Sequence, residues 1–335
     1  MKNLSSGAFA LSAVLALTAC GSGSPAGDAD GEPAGDEGAD SSNGELTEVE
    51  VGLIPIVDVA PIYLGQQEGI FEEHGLDLTL TLAQGGAAII PAVSSGDLDF
   101  GFSNVTSLLI AADNGLPLQT VAAGPQTTGD SENDFGAVLV KPESGIESAQ
   151  DLEGQRVAVN TLNNISDSMI SQGVEDAGGD PANVDFVEVG FPDMLAQLEA
   201  DNVDAIFAVD PFASMADDQG YDRIFAPYAD VVDELGVGTY FASQQLVDED
   251  PELIESFHTA VRESQAYAEE NPEAVREVLL EYTSIEESML EEITIPAFPE
   301  DVNLDSLNEV AEISERHGLI GEVPNTDDLV WEGAR

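Results

Sequence analysis

One series of strand, loop and helix occurs twice in this chain, in the same order, and nothing else in the sequence limits the fold as much. The first copy begins with VEVGLI (Val49 to Ile54), followed by a segment whose Tyr63, Leu64, Gln67, Ile70 and Phe71 recur at helical spacing. LDLTLTL (Leu76 to Leu82) leads into QGGAAIIPAVSSG, and LDFGFSN (Leu98 to Asn104) leads into VTSLLIAADNG. LQTVAA and GAVLV then complete this half. From Gln155 the pattern returns as QRVAVNTLNNISDSMISQGVEDAGG, VDFVEVGFPDMLAQLEADN and VDAIFAVDPFASMADDQG. The offset between copies is nearly constant: 108 residues from Leu76 to Val184 and 105 from Leu98 to Val203. Short apolar strands alternating with helices predict an α/β fold with mainly parallel sheets. Two copies predict two lobes, each a sheet flanked by helices.

The joins predict how the lobes connect. GAVLVKPESGIESAQDLEG (Gly136 to Gly154) lies between the copies and is expected to carry the chain into the second lobe. GVGTYFASQQLV (Gly236 to Val247) reads as a return strand. Pro251 and Pro272 sit where a helix's first turn accepts proline, so the rest reads as a helical tail packed on the first lobe. The expected division is residues 46–139 and 240–335 in lobe one and 140–239 in lobe two, with two hinge crossovers.

The N-terminal stretch is a targeting segment. Lys2 supplies a positive start, Ala8 to Leu17 a short apolar core, and LTAC ends in Cys20 before Gly21. This resembles a bacterial lipoprotein signal, which implies a signal peptide over 1–20 and an acylated Cys20. Residues 21–45 are Gly, Ser, Pro, Ala and acid, with nothing to bury, and are expected to form a disordered acidic tether. Nothing after residue 20 resembles a membrane span. The expected location is outside the cell membrane, lipid-anchored to its outer face or periplasmic. Cys20 is the one cysteine, so no intramolecular disulfide can form.

Charge narrows the partners. The 66 acidic against 8 basic residues give a formal net charge of −58. Such a surface repels nucleic acid and anionic bilayers. Acid spread along the whole chain suggests a saline or alkaline habitat, so unfolding midpoints are expected to rise with added salt. His74 and His317 each precede a glycine at a helix end, and His258 lies inside a helix; no pair has metal spacing. No nucleophile-elbow, zincin or phosphate-loop motif is present. Neither a cofactor nor a metal is expected, and the chain is expected to act as a monomer.

Ligands of open parallel α/β sheets bind beyond the carboxyl ends of the strands. Six loops reach that end: Ile56 to Pro61, Gln84 to Ala87, Ser103 to Thr106, Asn160 to Asp167, Phe191 to Asp193, and Asp210 to Phe212. Several begin helices, whose free N–H groups can donate to ligand oxygens. The candidate ligand-binding residues are Asp58, Tyr63, Gly85, Gly86, Ser103, Asn104, Thr106, Asn160, Thr161, Asp167, Phe191, Asp210, Phe212 and Tyr240. Each has a plainer alternative. Asp210 before Pro211 is a standard helix start, Ser103 and Asn104 suit a cap, and Tyr63 and Phe212 suit a core face. Asp58, Asp167 and Asp193 are as readily solvated acids.

VGLIPIVDVAPIYLGQQEGIFEEHGLDLTL, GDLDFGFSNVTSLL, ESAQDLEGQRVAVN and VDAIFAVDPF resemble the solute-binding proteins of ABC importers. The branch is the one covering sulfonates, taurine, nitrate and thiamine-pyrimidine precursors. The resemblance implies a two-lobed type II periplasmic-binding-protein fold, closure of the lobes on a ligand, and a permease and an ATPase as partners. Two departures bear on the ligand. Asp210-Pro211 stands where many relatives have Glu-Pro, and no loop contains Lys or Arg. Arg156 and Arg223 precede strands, and Lys141 lies on a crossover. A neutral or cationic organic ligand is therefore favoured, with sulfonate or nitrate left open. Tyr63, Phe191, Phe212 and Tyr240 offer aromatic faces. Two alternatives stay open: an enzyme on this scaffold, such as a thiamine-pyrimidine synthase, and a sensory binder.

Overall fold

The protein was analysed as a computed structural model, which describes residues 46–335. The expected signal peptide, Cys20 and the tether lie outside the described residues. Unit by unit, the first copy forms β1 (Thr47–Leu53), α1 (Ala60–Gln67), α2 (Ile70–Glu73), β2 (Leu76–Leu82), α3 (Gly86–Ser95), β3 (Phe100–Asn104), α4 (Val105–Asp113) and β4 (Leu118–Ala123). The second forms β5 (Gly136–Val140), β6 (Arg156–Val159), α5 (Ile165–Asp176), β7 (Asp185–Glu188), α6 (Phe191–Glu199), β8 (Ala205–Val209), α7 (Phe212–Asp218), β9 (Asp222–Phe225) and α8 (Pro227–Val231). β10 (Gly238–Ser243), α9 (Gln244–Glu249), α10 (Pro251–Glu270), α11 (Pro272–Tyr282) and α12 (Leu304–Arg316) follow.

The strands make two five-stranded sheets of matching order, β2-β1-β3-β10-β4 and β7-β6-β8-β5-β9. In each, the first three strands run parallel, with β1 between β2 and β3, and β6 between β7 and β8. In each, the fourth strand is antiparallel and is supplied from outside the repeated units. β10 returns after the second copy to enter the first sheet. β5 enters the second sheet ahead of the second copy. This corrects the expectation for GAVLV, which was read as closing the first half. Gly136 pairs with Val209 and Val140 with Ala205, so the segment is the inner strand of the second sheet. Its five buried residues fit that place, because an inner strand covered on both faces reads as a continuous apolar run.

Periodicity accounts for the outer elements. β2 alternates buried and exposed residues at its start, as an edge strand covered on one face does. α10 and α12 carry apolar residues on one side, and α10 packs against α1 and β4. Two buried side chains fasten α10 to β4: His258 Nδ1 lies 2.9 Å from the carbonyl of Val121, and Gln265 Nε2 donates to that of Ala123 at 2.7 Å. The first sheet is filled by Phe100 stacked on Phe257, with ring centroids 3.8 Å apart. The second is filled by Phe207 edge-on to Tyr228 at 5.2 Å. His74 and His317 end α2 and α12, as their glycine neighbours predict.

Residues 124–135 and 226–237 cross between the sheets, and the tail joins them there. Gln126 bridges to both Gly236 and Ala297.

Candidate functional site

The carboxyl ends of the parallel strands in both sheets face one cavity. It is lined from the first group by Ile54, Ile56, Asp58, Phe102 and Asn104, and from the second by Asn160, Ile165, Ser166, Phe191, Val209 and Tyr228. Val237 at the end of the return crossover and Gly238 at the start of β10 complete the lining. Its free volume is about 30 Å³, the room of a water molecule or two. Broader grooves lie on the surface, one beside Arg276 and Glu291, but they do not gather strand ends from both sheets.

Of the fourteen residues expected to bind ligand, Asp58, Asn104, Asn160 and Phe191 line this cavity. Asn104 caps α4 by accepting from Ser107 N at 2.9 Å, and the same oxygen accepts from Ile165 N across the cavity at 3.3 Å. Asn160 accepts from Asn164 Nδ2 at 2.9 Å, and Thr161 Oγ1 accepts from the same amide at 2.8 Å. Thr106 and Ser168 bring their hydroxyls to 3.4 Å, joining α4 to α5. Gly85 lies close under the second half: a Cβ there would meet Thr161 Cγ2 at 2.7 Å. Gly86, the first residue of α3, packs against β3, where a Cβ would stand 2.0 Å from the buried Ser103 hydroxyl.

The remaining candidates are set back. Tyr63 stacks on Tyr282 at 4.0 Å, outside the cavity wall. Phe212 stands behind Phe191, with ring centroids 5.8 Å apart. Tyr240 is buried between Phe102 and Phe257 in the first core. Asp167 accepts from the backbone N–H of Asn163, and its other oxygen is buried without a partner.

Asp210 is not at the lip of the cleft. It is fully buried, follows β8 through a cis bond to Pro211, and the cap position of α7 falls on Pro211. Its carboxylate accepts from Ser214 N at 2.8 Å and from Thr294 N, on the tail, at 2.6 Å. Its carbonyl accepts from Val57 N of the first group at 2.9 Å. Asp210 is thus a brace where both halves and the tail meet.

Arg223 also departs from expectation. It is the second residue of β9, yet its guanidinium donates to the Asp134 carbonyl at 2.6 Å and to Asp217 at 2.7 Å. Arg156 does stay at the far end, bound to Asp204 at 2.8 Å.

Burial controls the electrostatics. It pushes the Asp58 carboxyl up to about 7, with Asp134 and Asp210 adding to the rise. Burial likewise pushes Asp210 to about 6 against the lowering effect of Ser214, Thr294 and Arg223, and Asp134 to about 6 against Thr127. Asp167 rises to about 7, again by burial.

The sequence reading missed Tyr228 and Ser166, which both line the cavity. Tyr228 follows β9, an edge strand of mixed residues with no clear periodicity. Ser166 is in the first turn of α5, one residue before the Asp167 that was singled out.

The family model described as NMT1/THI5 like matches residues 56–275. The chain belongs to the NMT1/THI5-like family. Within reach of that family, it is 24% identical over 239 residues to a formylaminopyrimidine-binding protein of Halalkalibacterium halodurans, covering 70% of each chain. It is 25% identical over 223 residues to a 4-amino-5-hydroxymethyl-2-methylpyrimidine phosphate synthase of Legionella pneumophila, covering 65% of this chain and 68% of that one. Its fold is that of the periplasmic aliphatic sulphonate binding protein SsuA of Escherichia coli: the TM-score is 0.68 at 17% identity, covering 86% of this chain and 98% of that one. Two mixed sheets of matching order, linked by paired crossovers, are the type II periplasmic-binding-protein arrangement that the NMT1/THI5-like sequence implied.

Proposed function

We propose that this chain is an extracytoplasmic solute-binding protein that captures a small neutral or cationic organic molecule between its halves and delivers it to an ABC importer. One observation carries the reading: the cavity is built from strand ends of both sheets, which the chain links at two crossovers and which a few bonds such as Ile165 N to Asn104 and Val57 N to the Asp210 carbonyl hold together. A space of about 30 Å³ shuts out an organic molecule, so admission requires the halves, residues 46–135 with the tail and 136–235, to part about the crossovers. The permease and ATPase are the partners, the folded body works as a monomer, and Cys20 carries a lipid that holds it outside the membrane. No helix of the described residues is long and apolar enough to cross a membrane.

The ligand class follows from the cavity wall, which holds Asp58 and aromatic rings and no Lys or Arg. A relative is named a formylaminopyrimidine-binding protein, so that compound leads the list to test. A thermal-shift and native mass-spectrometry screen should set it against other pyrimidines, amines, alkanesulfonates and nitrate. Ligand at 100 times its Kd stabilises by about 2.7 kcal/mol, several degrees in a chain of this size. A shift from sulfonates or nitrate alone would refute the ligand class.

The synthase relative supports a second reading, an enzyme. Against it, among the described residues no histidine borders the cavity: His74 pairs with Glu263, His258 with the Val121 carbonyl, and His317 with Gln172. Conversion of a bound pyrimidine by the purified chain would reverse the choice.

A further inference from the structure

Asp58 is an uncompensated acid in a closed place. It lies between β1 and α1 on the cavity wall, is 3% exposed, and its Oδ1 is buried with no hydrogen-bond partner. Asp134 and Asp210 stand near enough to raise its proton affinity. Those two have Arg223 and backbone or hydroxyl donors. The groups otherwise coupled to Asp58 are Tyr228, Tyr240 and Tyr282, which carry no positive charge. A buried carboxylate without a counter-ion is costly, and a ligand cation beside it removes that cost. The same wall presents the rings of Phe102, Phe191 and Tyr228, surfaces that attract ammonium and amidinium groups.

Resting on the solute-binding reading above, we infer that the ligand carries a protonated nitrogen, an ammonium or amidinium group, and that the Asp58 carboxylate receives it. Asp58 is then the residue that selects by charge, and the tyrosine and phenylalanine rings form the sides of the cation's seat. Binding requires the ionised carboxylate. Because burial holds this acid near 7, entry of a cation expels a proton from part of the population at neutral pH.

The test uses the full chain and three matched probe sets: benzamidinium and alkylammonium compounds, the corresponding amides and alcohols, and the corresponding carboxylates and sulfonates. Cations alone should raise the melting temperature, and their Kd should weaken about tenfold from pH 8 to pH 6 as Asp58 takes up its proton. Asp58→Asn should lose about tenfold or more in cation affinity and the pH dependence with it. Asp58→Glu, which keeps the charge, should retain both in part, and it serves where the amide variant fails to fold. Equal binding of amides, or unchanged cation binding by Asp58→Asn, overturns the cation assignment while leaving solute capture intact. No shift from any set overturns both.

Discussion

The ends of β3 and β8 hold matching places in matching sheets, yet they meet different surroundings. After β3, Asn104 caps α4 and faces the cavity, reaching across it to Ile165 N. After β8, Asp210 does similar work on α7, accepting from Ser214 N, but it is sealed by the tail through Thr294 N and by the Glu292 carbonyl on Ser214 Oγ. The repeated units are alike, so the difference comes from chain outside them. At the β8 end the tail binds through Glu292 and Thr294 and converts an open helix start into a joint. Equivalent positions in a duplicated fold therefore need not share exposure, and the acid that lines the cavity is Asp58 rather than Asp210.

The largest test of this contrast is pH. Asp58 and Asp167 are raised to about 7, and Asp134 and Asp210 to about 6, from an unfolded value of 3.8. Between those values the folded chain binds more protons than the unfolded one, so stability falls as pH rises from about 4 to about 7 and levels off above. Repulsion among the excess acids has the same sign, so variants must separate the sources. Asp210→Asn should flatten the curve below pH 6, whereas Asp58→Asn should flatten it up to pH 7. Melting temperatures across pH 4 to 8 decide this; identical curves for both variants would erase the distinction between joint and cavity acid.

Asp210→Ala is next. It leaves the N–H groups of Ser214 and Thr294 buried and unpaired at the joint, costing about 3 kcal/mol. Denaturant melts should show that loss while the surviving folded fraction binds solute as before. Weakened binding at unchanged stability would return Asp210 to the ligand.

The same contrast explains what was legible in the sequence. Three strand-loop-helix units per half came from apolar periodicity, and their loops converge because parallel strands point one way. The place of Gly136–Val140 did not. An apolar pentapeptide satisfies either sheet, and the choice is made by pairing with β8 some seventy residues later. Asp210 was misread for a related reason. Its local pattern is that of a helix start, and Thr294, 84 residues on, is what buries it. Tyr228 was missed because it falls in α8, a five-residue helix after β9 that is too short to show a period.

Glycine gives a smaller, sharper pair. Gly86 is the first residue of α3 after β2, and Gly190 holds the cap position of α6 after β7. A Cβ at Gly86 would lie 2.0 Å from Ser103 Oγ and 2.8 Å from its Cα, whereas the nearest atom at Gly190 would be Gln84 Oε1 at 3.6 Å. Gly86→Ala should cost about 1–3 kcal/mol through overpacking, and Gly190→Ala should stay within about 0.5 kcal/mol. Equal melting temperatures for the two would mean that α3 shifts freely and that the first half is not the tighter one.

The smallest expected effect concerns Asn104 itself. Asn104→Ala removes a cap from α4, worth about 1 kcal/mol, and with it the bond to Ile165 N. Asn303→Ala removes a comparable cap, on Ser306 N of α12 in the tail, and a bond to the Glu234 carbonyl, at a residue that does not line the cavity. Both variants should melt slightly lower. If Asn104 joins the halves, only its variant should also weaken solute binding, by a few-fold, because one bond made on closure is gone. Equal affinities for the two variants would reduce Asn104 to a cap, and the β3 end would then differ from the β8 end in exposure alone.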